Sequence, residues 1–598
     1  MAPFHLATTL RERIVKYGDK TAIRHRQNGL WHEISWRAFG EQIRAAARGL
    51  LALGVGEGDR VGIFSPNRPE WTVADYAILF LRAVSVPLYA TSTAGQVEYI
   101  VDEALIDTLF VGSQEQFDRT LALHGGSPRL RRIIVFDEGV DLKGVNNAVY
   151  FRDFLEEGRS AGGDDLIDRR LAAASPDDLA TLIYTSGTTG EPKGVMLHHA
   201  TFQHCFAAHE KRLEVSERDV SMCFLPLSHI FERAWTHFAL NQGMEVCYCD
   251  DTAKIVEYLQ EVKPTIMCAV PRFYEKIYAT IFERLEGAPA LKKRLFHWAI
   301  RVGWQAFLLK NEQRPIPTLL NLQHKIAEAL VLKKLQGIVG GRIRFFPCAG
   351  APLSQKIEEF FHAAGITIAY GYGLTETCAT VTCHEKFHLR PGTVGKPVPG
   401  VEVKIADNDE ILVKGGTVTK GYYKKPEATA EAFTADGWFR TGDAGLIEDG
   451  YLTITDRIKD LMKTSGGKYI APQLIETLIG NDYYVEQVSV IGDLRQYVTA
   501  LIVPAFPALE EYARKEAIPF ASREELLRHP AIVRFYDERI RENTRSLARY
   551  ETVKRFVLLA EPFTQEAGEI TPTLKLKRKV INQHYGELIE KMYRQEKG

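Results

Sequence analysis

At 598 residues the chain is too long for one ordinary core and long enough for two or more domains. Its 45% apolar and 25% charged composition is that of a globular protein, and a net charge of −1 supplies no overall field to gather nucleic acid or an anionic surface. Any such attraction must be local, and no nucleic-acid partner is expected.

The first stretch, Met1–Asp19, carries Arg11, Arg13 and Lys16 in an amphipathic pattern without the apolar core of a secretory signal. Ser35–Leu53 has helical periodicity with Ser35 as N-cap and Gly54 as stop, and Val61–Phe64 follows as a strand. The longest apolar region, Tyr76–Ala90, is broken by Arg82 and Pro87 and is too short to span a bilayer. The expected location is cytoplasmic, with peripheral contact on the inner face of a membrane left open.

Further short strands are predicted at Thr108–Val111, Arg132–Phe136, Glu245–Cys249, Thr265–Val270, Ile343–Pro347 and Ile366–Tyr370, many separated by helical patterns. That alternation predicts an α/β fold of mainly parallel sheets covered by helices. After the strand Tyr451–Thr455 comes a charged break, Asp456–Asp460. Beyond it lie strands at Val488–Ile491 and Val498–Val503 and charged helices from Ala508 to Ala548. The expected organisation is a large α/β domain over 1–456 and a small, mobile α+β domain over 457–598.

Eight cysteines, at 205, 223, 247, 249, 268, 348, 378 and 383, include no Cys-x-x-Cys pair. Most sit in apolar runs and read as small buried hydrophobes of a reducing compartment.

Chemistry enters at Tyr184–Gly194. The run follows an apolar strand, Leu179–Ile183, and precedes Val195-Met196-Leu197, so it is a loop between two sheet elements. Glycines at 187, 190 and 194 allow close backbone approach. The hydroxyls of Thr185, Ser186, Thr188 and Thr189 and the ammonium of Lys193 suit phosphate oxygens. A Walker loop is excluded, because Pro192 stands where its second glycine belongs and Gly194 where a Ser or Thr must follow the lysine. Two more glycine-rich strings, Ala349–Pro352 and Tyr370–Glu376, follow predicted strands and so lie at carboxyl ends, where open α/β sheets bind ligands. His384-Glu385-Lys386-Phe387-His388 satisfies the His-Glu-x-x-His zinc pattern, but the β-branched residues before it and Arg390-Pro391-Gly392 after it deny the helix that pattern requires.

In order and approximate spacing these strings resemble the acyl-adenylate-forming enzymes: acyl-CoA synthetases, non-ribosomal peptide adenylation domains and beetle luciferases. The resemblance covers nearly the whole chain. It implies that Thr185, Ser186, Gly187, Thr188, Thr189, Gly190 and Lys193 close over the ATP phosphates. Gly350, Ala351, Pro352, Tyr370, Gly371, Tyr372 and Gly373 would line the adenine, Thr375 would touch the α-phosphate, and Glu376 would hold Mg²⁺. In Trp438–Asp443, Asp443 resembles the carboxylate that accepts both ribose hydroxyls, with Arg457 near the ribose and phosphate. Lys459 takes the hinge position. Gly466 and Gly467 fall in the segment turned toward the CoA channel. In Thr571–Arg578 the Lys-x-x-Arg register makes Lys575 the catalytic lysine, with Lys577 as runner-up; Leu574 departs from the glycine many members carry there.

Phe224–Arg233 and Ala269–Tyr278 are similar to segments of long-chain fatty acyl-CoA synthetases, especially bacterial ones. His229 would border the carboxylate and thiol site, and Trp235 is a candidate for the acyl gate, with a buried core aromatic as the alternative. The implied activity is an AMP-forming long-chain fatty acid–CoA ligase using fatty acid, ATP and CoA with Mg²⁺. An acyl-AMP ligase loading a carrier protein and a catalytically silent nucleotide-binding protein are the alternatives.

Overall fold

The structure is a computed structural model, and it describes residues 4–123, 130–185, 191–458, 460–465, 468–545, 547–571 and 575–594. Its first three quarters contain two large, mostly parallel sheets. The seven-stranded sheet runs in the spatial order Ala148–Tyr150, Arg132–Val135, Thr108–Val111, Arg60–Phe64, Val84–Leu88, Leu179–Thr185 and Lys193–His198. Every pair is parallel except the last, where Leu179–Thr185 and Lys193–His198 form an antiparallel hairpin. The five-stranded sheet orders Ile266–Met267, Val220–Cys223, Glu245–Tyr248, Thr21–Gln27 and Leu30–Ser35, again parallel until its closing hairpin.

The helix Pro69–Phe80 shows why these layers cohere. Apart from Glu70 in its first turn it is buried at every position, with apolar residues all round, as in a helix enclosed by other elements. Of its two charges, Glu70 pairs with Arg68 just before the helix, while Asp75 is fully buried and bonded by the buried Arg233 on the helix Ile230–Gln242, with His237 Nε2 3.1 Å away. Arg233 also donates to Thr181 Oγ1 at 2.6 Å, in the strand that leads into the phosphate-loop region. Burial alone would raise the Asp75 carboxyl; Arg233 and His237 instead hold it down at about 2.

A third sheet pairs Phe346–Cys348 in parallel with Ile368–Tyr372, then turns antiparallel through Thr382–Cys383 and Lys396–Pro397. Bridges Ile266 to Phe345 and Ala269 to Cys348 join it to the five-stranded sheet. An antiparallel meander, Val401–Ile405, Glu410–Gly415, Phe439–Glu448 and Tyr451–Arg457, completes this part. The expected charged break at Asp456–Asp460 is thus corrected at its start: Asp456 and Arg457 extend the strand, paired with Ala444 and Asp443.

The last quarter has its own hydrophobic core, from Met462 to Met592. It is an α+β unit whose central Val498–Pro504 strand pairs antiparallel with Val485–Ile491 and parallel with Val553–Leu558. It touches the large part where Gln565 Nε2 donates to Thr91 O at 2.9 Å and Arg272 Nη1 to Gly480 O at 3.2 Å. Among the described residues no helix is long and apolar enough to cross a membrane.

Candidate active site

Of the phosphate-loop residues, Ser186, Gly187, Thr188, Thr189 and Gly190 lie outside the described residues. Their two anchors do not: Thr185 and Lys193 pair across the hairpin, so the loop joins two antiparallel strands and no helix begins at the lysine. Gly194 lies flat against Tyr184, where a Cβ would come 3.1 Å from the ring. Tyr99 Oη donates to Pro192 O at 3.0 Å, and the Lys193 ammonium stands 5.0 Å from the centroid of the Tyr422 ring.

Gly350, Ala351 and Pro352 follow the strand Phe346–Cys348, with Gly350 at φ +97°, a conformation that favours glycine. Tyr370 fixes this turn by donating to Ala351 O at 2.9 Å and accepting from Leu353 N at 3.0 Å. One expectation changes here. Gly371 and Tyr372 extend the strand, Ile368–Tyr372, rather than forming a turn after it. Gly371 is glycine because its neighbour strand crosses closely; a Cβ would meet Thr382 O at 2.6 Å. At Gly373 a Cβ would meet Ala379 O at 1.9 Å. Thr375 and Glu376 then occupy a short 3₁₀ turn, Thr375–Thr377.

The charged groups converge from four separate segments. Glu376 Oε1 accepts from Tyr422 Oη at 3.0 Å. Asp443 is buried, accepts a short hydrogen bond from Tyr372 Oη and lies 3.2 Å from Arg457 Nε. Burial raises both carboxyls above their ordinary range; Tyr422 opposes the shift at Glu376, and Arg457 and Tyr372 oppose it at Asp443. Lys575 projects among these groups from the last quarter of the chain. Its backbone N–H donates to Thr571 Oγ1 at 3.0 Å. Solvent reaches its side chain inside the cleft, yet the protein around the cleft deprives the ammonium of hydration. That enclosure, with Arg457 adding repulsion, lowers its pKa, while Asp443, Glu376 and Asp460 pull the other way.

Lys577 stands apart from that constellation. It precedes the helix Arg578–His584, its N–H donating to Glu569 O at 2.7 Å, and Arg578 is bonded to Glu476 within the small core. His229 caps the helix Ile230–Gln242 by accepting from Phe231 N at 3.1 Å. Burial first, and the Lys575 charge second, lower His229 to about 4, so it is a neutral imidazole at pH 7.

Trp235 is only 3% exposed, and its indole N–H donates to Ser221 Oγ at 2.9 Å. Those are the contacts of a core aromatic, and no gate role is built on it. Lys459, Gly466 and Gly467, with Leu574, lie outside the described residues. His384 is buried and hydrogen-bonds Thr393, and the segment from 384 to 388 is not helical.

Tyr422 is a site residue that sequence reasoning missed. Its contact to Glu376 spans 46 positions, and nothing in Gly421-Tyr422-Tyr423-Lys424 fits a recurrent chemical pattern. Its nearest signal is Gly421, at φ +138°, which marks a backbone bend.

A model of the AMP-binding enzyme family matches residues 10–423, and one of the AMP-binding enzyme C-terminal domain matches 459–597. The chain is 37% identical over 578 residues to a long-chain-fatty-acid–CoA ligase of Mycobacterium tuberculosis, covering 95% of this chain and 94% of that one. It is 34% identical over 601 residues to the peroxisomal long chain acyl-CoA synthetase 7 of Arabidopsis thaliana, covering 95% and 83%. Among solved structures, the A domain of carboxylic acid reductase from Segniliparus rugosus, in complex with AMP and a co-purified carboxylic acid, superposes with a TM-score of 0.77. The identity there is 23%, over 99% of this chain and 94% of that one, a likeness of fold. With a large α/β part that carries Lys193, Glu376 and Asp443 and a smaller part that carries Lys575, the chain belongs to the AMP-binding enzyme family.

Proposed function

We propose that this chain is an AMP-forming long-chain fatty acid–CoA ligase. The observation that carries the reading is the convergence of Lys575 with Glu376, Asp443 and Arg457, four charged groups from separate segments held in one cleft. Relatives named as long-chain CoA ligases at 34 to 37% identity support the acid and thiol substrates.

In the first half-reaction a fatty carboxylate oxygen attacks the ATP α-phosphorus and pyrophosphate leaves, giving acyl-AMP. Two anions must meet, and Lys575 and Lys193 supply positive charge where the transition state needs it. Asp443 accepts the ribose hydroxyls, with Arg457 holding the carboxylate ionised. The adenine lies between Gly350–Pro352 and Tyr370–Gly373, and Thr375 meets the α-phosphate. Thr185, Ser186, Gly187, Thr188, Thr189 and Gly190 bind the departing phosphates. In the second half-reaction the CoA sulfur attacks the acyl carbonyl carbon and AMP leaves; neutral His229 borders that carbonyl.

The chemistry of the donors fits Mg²⁺: Glu376 is a half-buried carboxyl whose charge lacks a cationic partner within ion-pair distance among the described residues, and Mg²⁺ typically takes one or two protein carboxylates plus phosphates and waters. Bound there, the ion would neutralise phosphate charge. Residues 1–456 and 457–598 form the two domains, and the second turns about Lys459 between half-reactions, withdrawing Lys575 and bringing Gly466 and Gly467 to the thiol channel.

The test is carboxylate-dependent pyrophosphate release over a chain-length series, with and without CoA. Each methylene buried in an apolar tunnel adds about 0.8 kcal/mol, roughly fourfold. The expected result is kcat/KM rising from acetate toward palmitate, with CoA required for multiple turnover. A flat response removes the long-chain assignment. Acyl-AMP that CoA leaves untouched points to a carrier-protein acceptor, and no pyrophosphate from any acid removes the enzymatic reading.

A further inference from the structure

The helical hairpin of Ala290–Asn311 and Thr318–Ala327, continued through a π turn at Glu328–Leu332 into Lys333–Ile338, has a surface unlike the rest of the molecule. A small core of Ala299, Val302, Ala327 and Leu332 closes the hairpin, and the first helix packs on Gln355–Ala363, between the strands that lead to Gly350–Pro352 and Tyr370–Gly373. With that inner face satisfied, the second helix should be polar outside. It is not. Leu319, Leu322, Ile326 and Leu330 are 69%, 57%, 45% and 47% exposed. At 100° per residue they fall within one arc of roughly 80°, opposite the buried Leu332 and Leu335. Leu291 and Leu308 on the first helix are exposed as well.

Charge follows the same surface. Between positions 290 and 338 the sequence has nine lysines and arginines against two glutamates, in a chain whose net charge is −1. The exposed Lys325 and Lys334 flank the apolar stripe, and Lys333 continues it. No carboxylate among the described residues pairs with these three lysines. Long lysine stems beside an apolar stripe let the ammonium groups reach outward to anions while the leucines go deeper.

From this pairing we infer that the Thr318–Ile338 segment docks the protein on an anionic lipid surface, with the Leu319, Leu322, Ile326 and Leu330 stripe entering the headgroup boundary and Lys325, Lys333 and Lys334 meeting lipid phosphates. Charge complementarity selects this occupant over a second copy seated face to face, which would set the same cations against one another. The inference does not rest on the ligase reading: the surface binds lipid whatever the cleft does, and lipid binding is measured separately from pyrophosphate release.

The experiment is co-sedimentation of the full chain with vesicles of phosphatidylcholine alone and of phosphatidylcholine with phosphatidylglycerol, at low and high salt. The wild type is expected on the anionic vesicles, released by salt. Lys325→Glu, Lys333→Glu and Lys334→Glu together should lower partitioning by at least about a hundredfold, since one lysine near an anionic surface contributes about fivefold. Leu322→Ser with Ile326→Ser should lower it by about tenfold or more, with a residue of salt-sensitive binding. All these positions are exposed, so the thermal midpoints should stay at the wild-type value and exclude misfolding. Failure of the wild type to bind anionic vesicles, or equal binding by all three proteins, overturns the inference. So does a leucine variant that only converts a dimer to monomers, because the stripe is then a protein interface.

Discussion

The Tyr422 hydroxyl donates to Glu376 at 3.0 Å while the Lys193 ammonium lies 5.0 Å from the centroid of the same ring. One side chain thus touches the carboxylate and faces the lysine of the phosphate-loop hairpin. A hydrogen bond to a charged group contributes about 1.5–3 kcal/mol, so Tyr422→Phe should lower kcat/KM for adenylation by about ten- to a hundredfold. Tyr422→Ala, which also removes the ring beneath Lys193, should lower it further. Pyrophosphate release decides it; a fully active Tyr422→Phe would mean the bond is not used in the reaction.

The two lysines near the C-terminus are separable. Lys575 shares the cleft with Glu376 and Asp443, whereas Lys577 sits at a helix start. Lys575→Ala should reduce adenylation by at least about a hundredfold, as loss of a transition-state charge contact does, while thioester formation from supplied acyl-AMP stays nearly intact. Lys577→Ala should do much less. Exchange of the two effects would move the catalytic register by two residues.

How much of this was legible in the sequence depends on whether the cause is local. Ser35 reads as an N-cap, and its Oγ accepts from Ala38 N at 3.2 Å; Thr108–Val111 is a strand with the expected bounds. Both follow from neighbours in sequence. The strand status of Gly371 and Tyr372 does not. Gly371 there answers an antiparallel strand more than ten positions away, and a local reading takes it for a turn. Likewise Asp456 and Arg457 look like a charged linker until the Phe439–Glu448 strand lies beside them. The candidate site was readable as an ordered set of strings; Tyr422, joined to it only through folding, was not.

Buried charge makes a stability prediction that needs no substrate. Arg233 and Asp75 are 1% and 0% exposed, and Arg233 ties the helix Pro69–Phe80 to Thr181. Arg233→Met leaves Asp75 buried with His237 and Ser85 but no permanent cation beside it. Removing one partner of a buried pair costs about 3–5 kcal/mol, and the unfolding midpoint in urea should fall accordingly. An unchanged midpoint would show that water reaches Asp75 once the arginine is gone.

The pH dependence of adenylation should be a bell narrowed from both sides. Glu376 and Asp443 are raised by burial, so the acid limb lies above the ordinary carboxylate range. Lys575 is lowered by the protein that crowds its ammonium and by Arg457, so the alkaline limb lies below the ordinary lysine range. Tyr422→Phe removes a bond that favours ionised Glu376 and should move the acid limb further up. Limbs at ordinary values would show that solvent in the cleft cancels the burial.

The same shift has a signature in the unliganded protein. Because the folded-state pKa of Glu376 lies above its unfolded value, the folded chain holds that proton more tightly. Its contribution to stability is therefore fully present below the unfolded pKa and is lost as pH rises through the folded pKa. Glu376→Gln cannot ionise. It should raise the thermal midpoint at pH 7, and the gain should vanish in acid below the carboxylate range, while adenylation is lost. With Glu376 as the proposed holder of Mg²⁺, Mg²⁺ with ATP should stabilise the wild type more than the variant. An equal gain at both pH values would assign the effect to packing, and a lower midpoint at pH 7 would mean that the carboxylate is better satisfied in the folded chain than its burial implies.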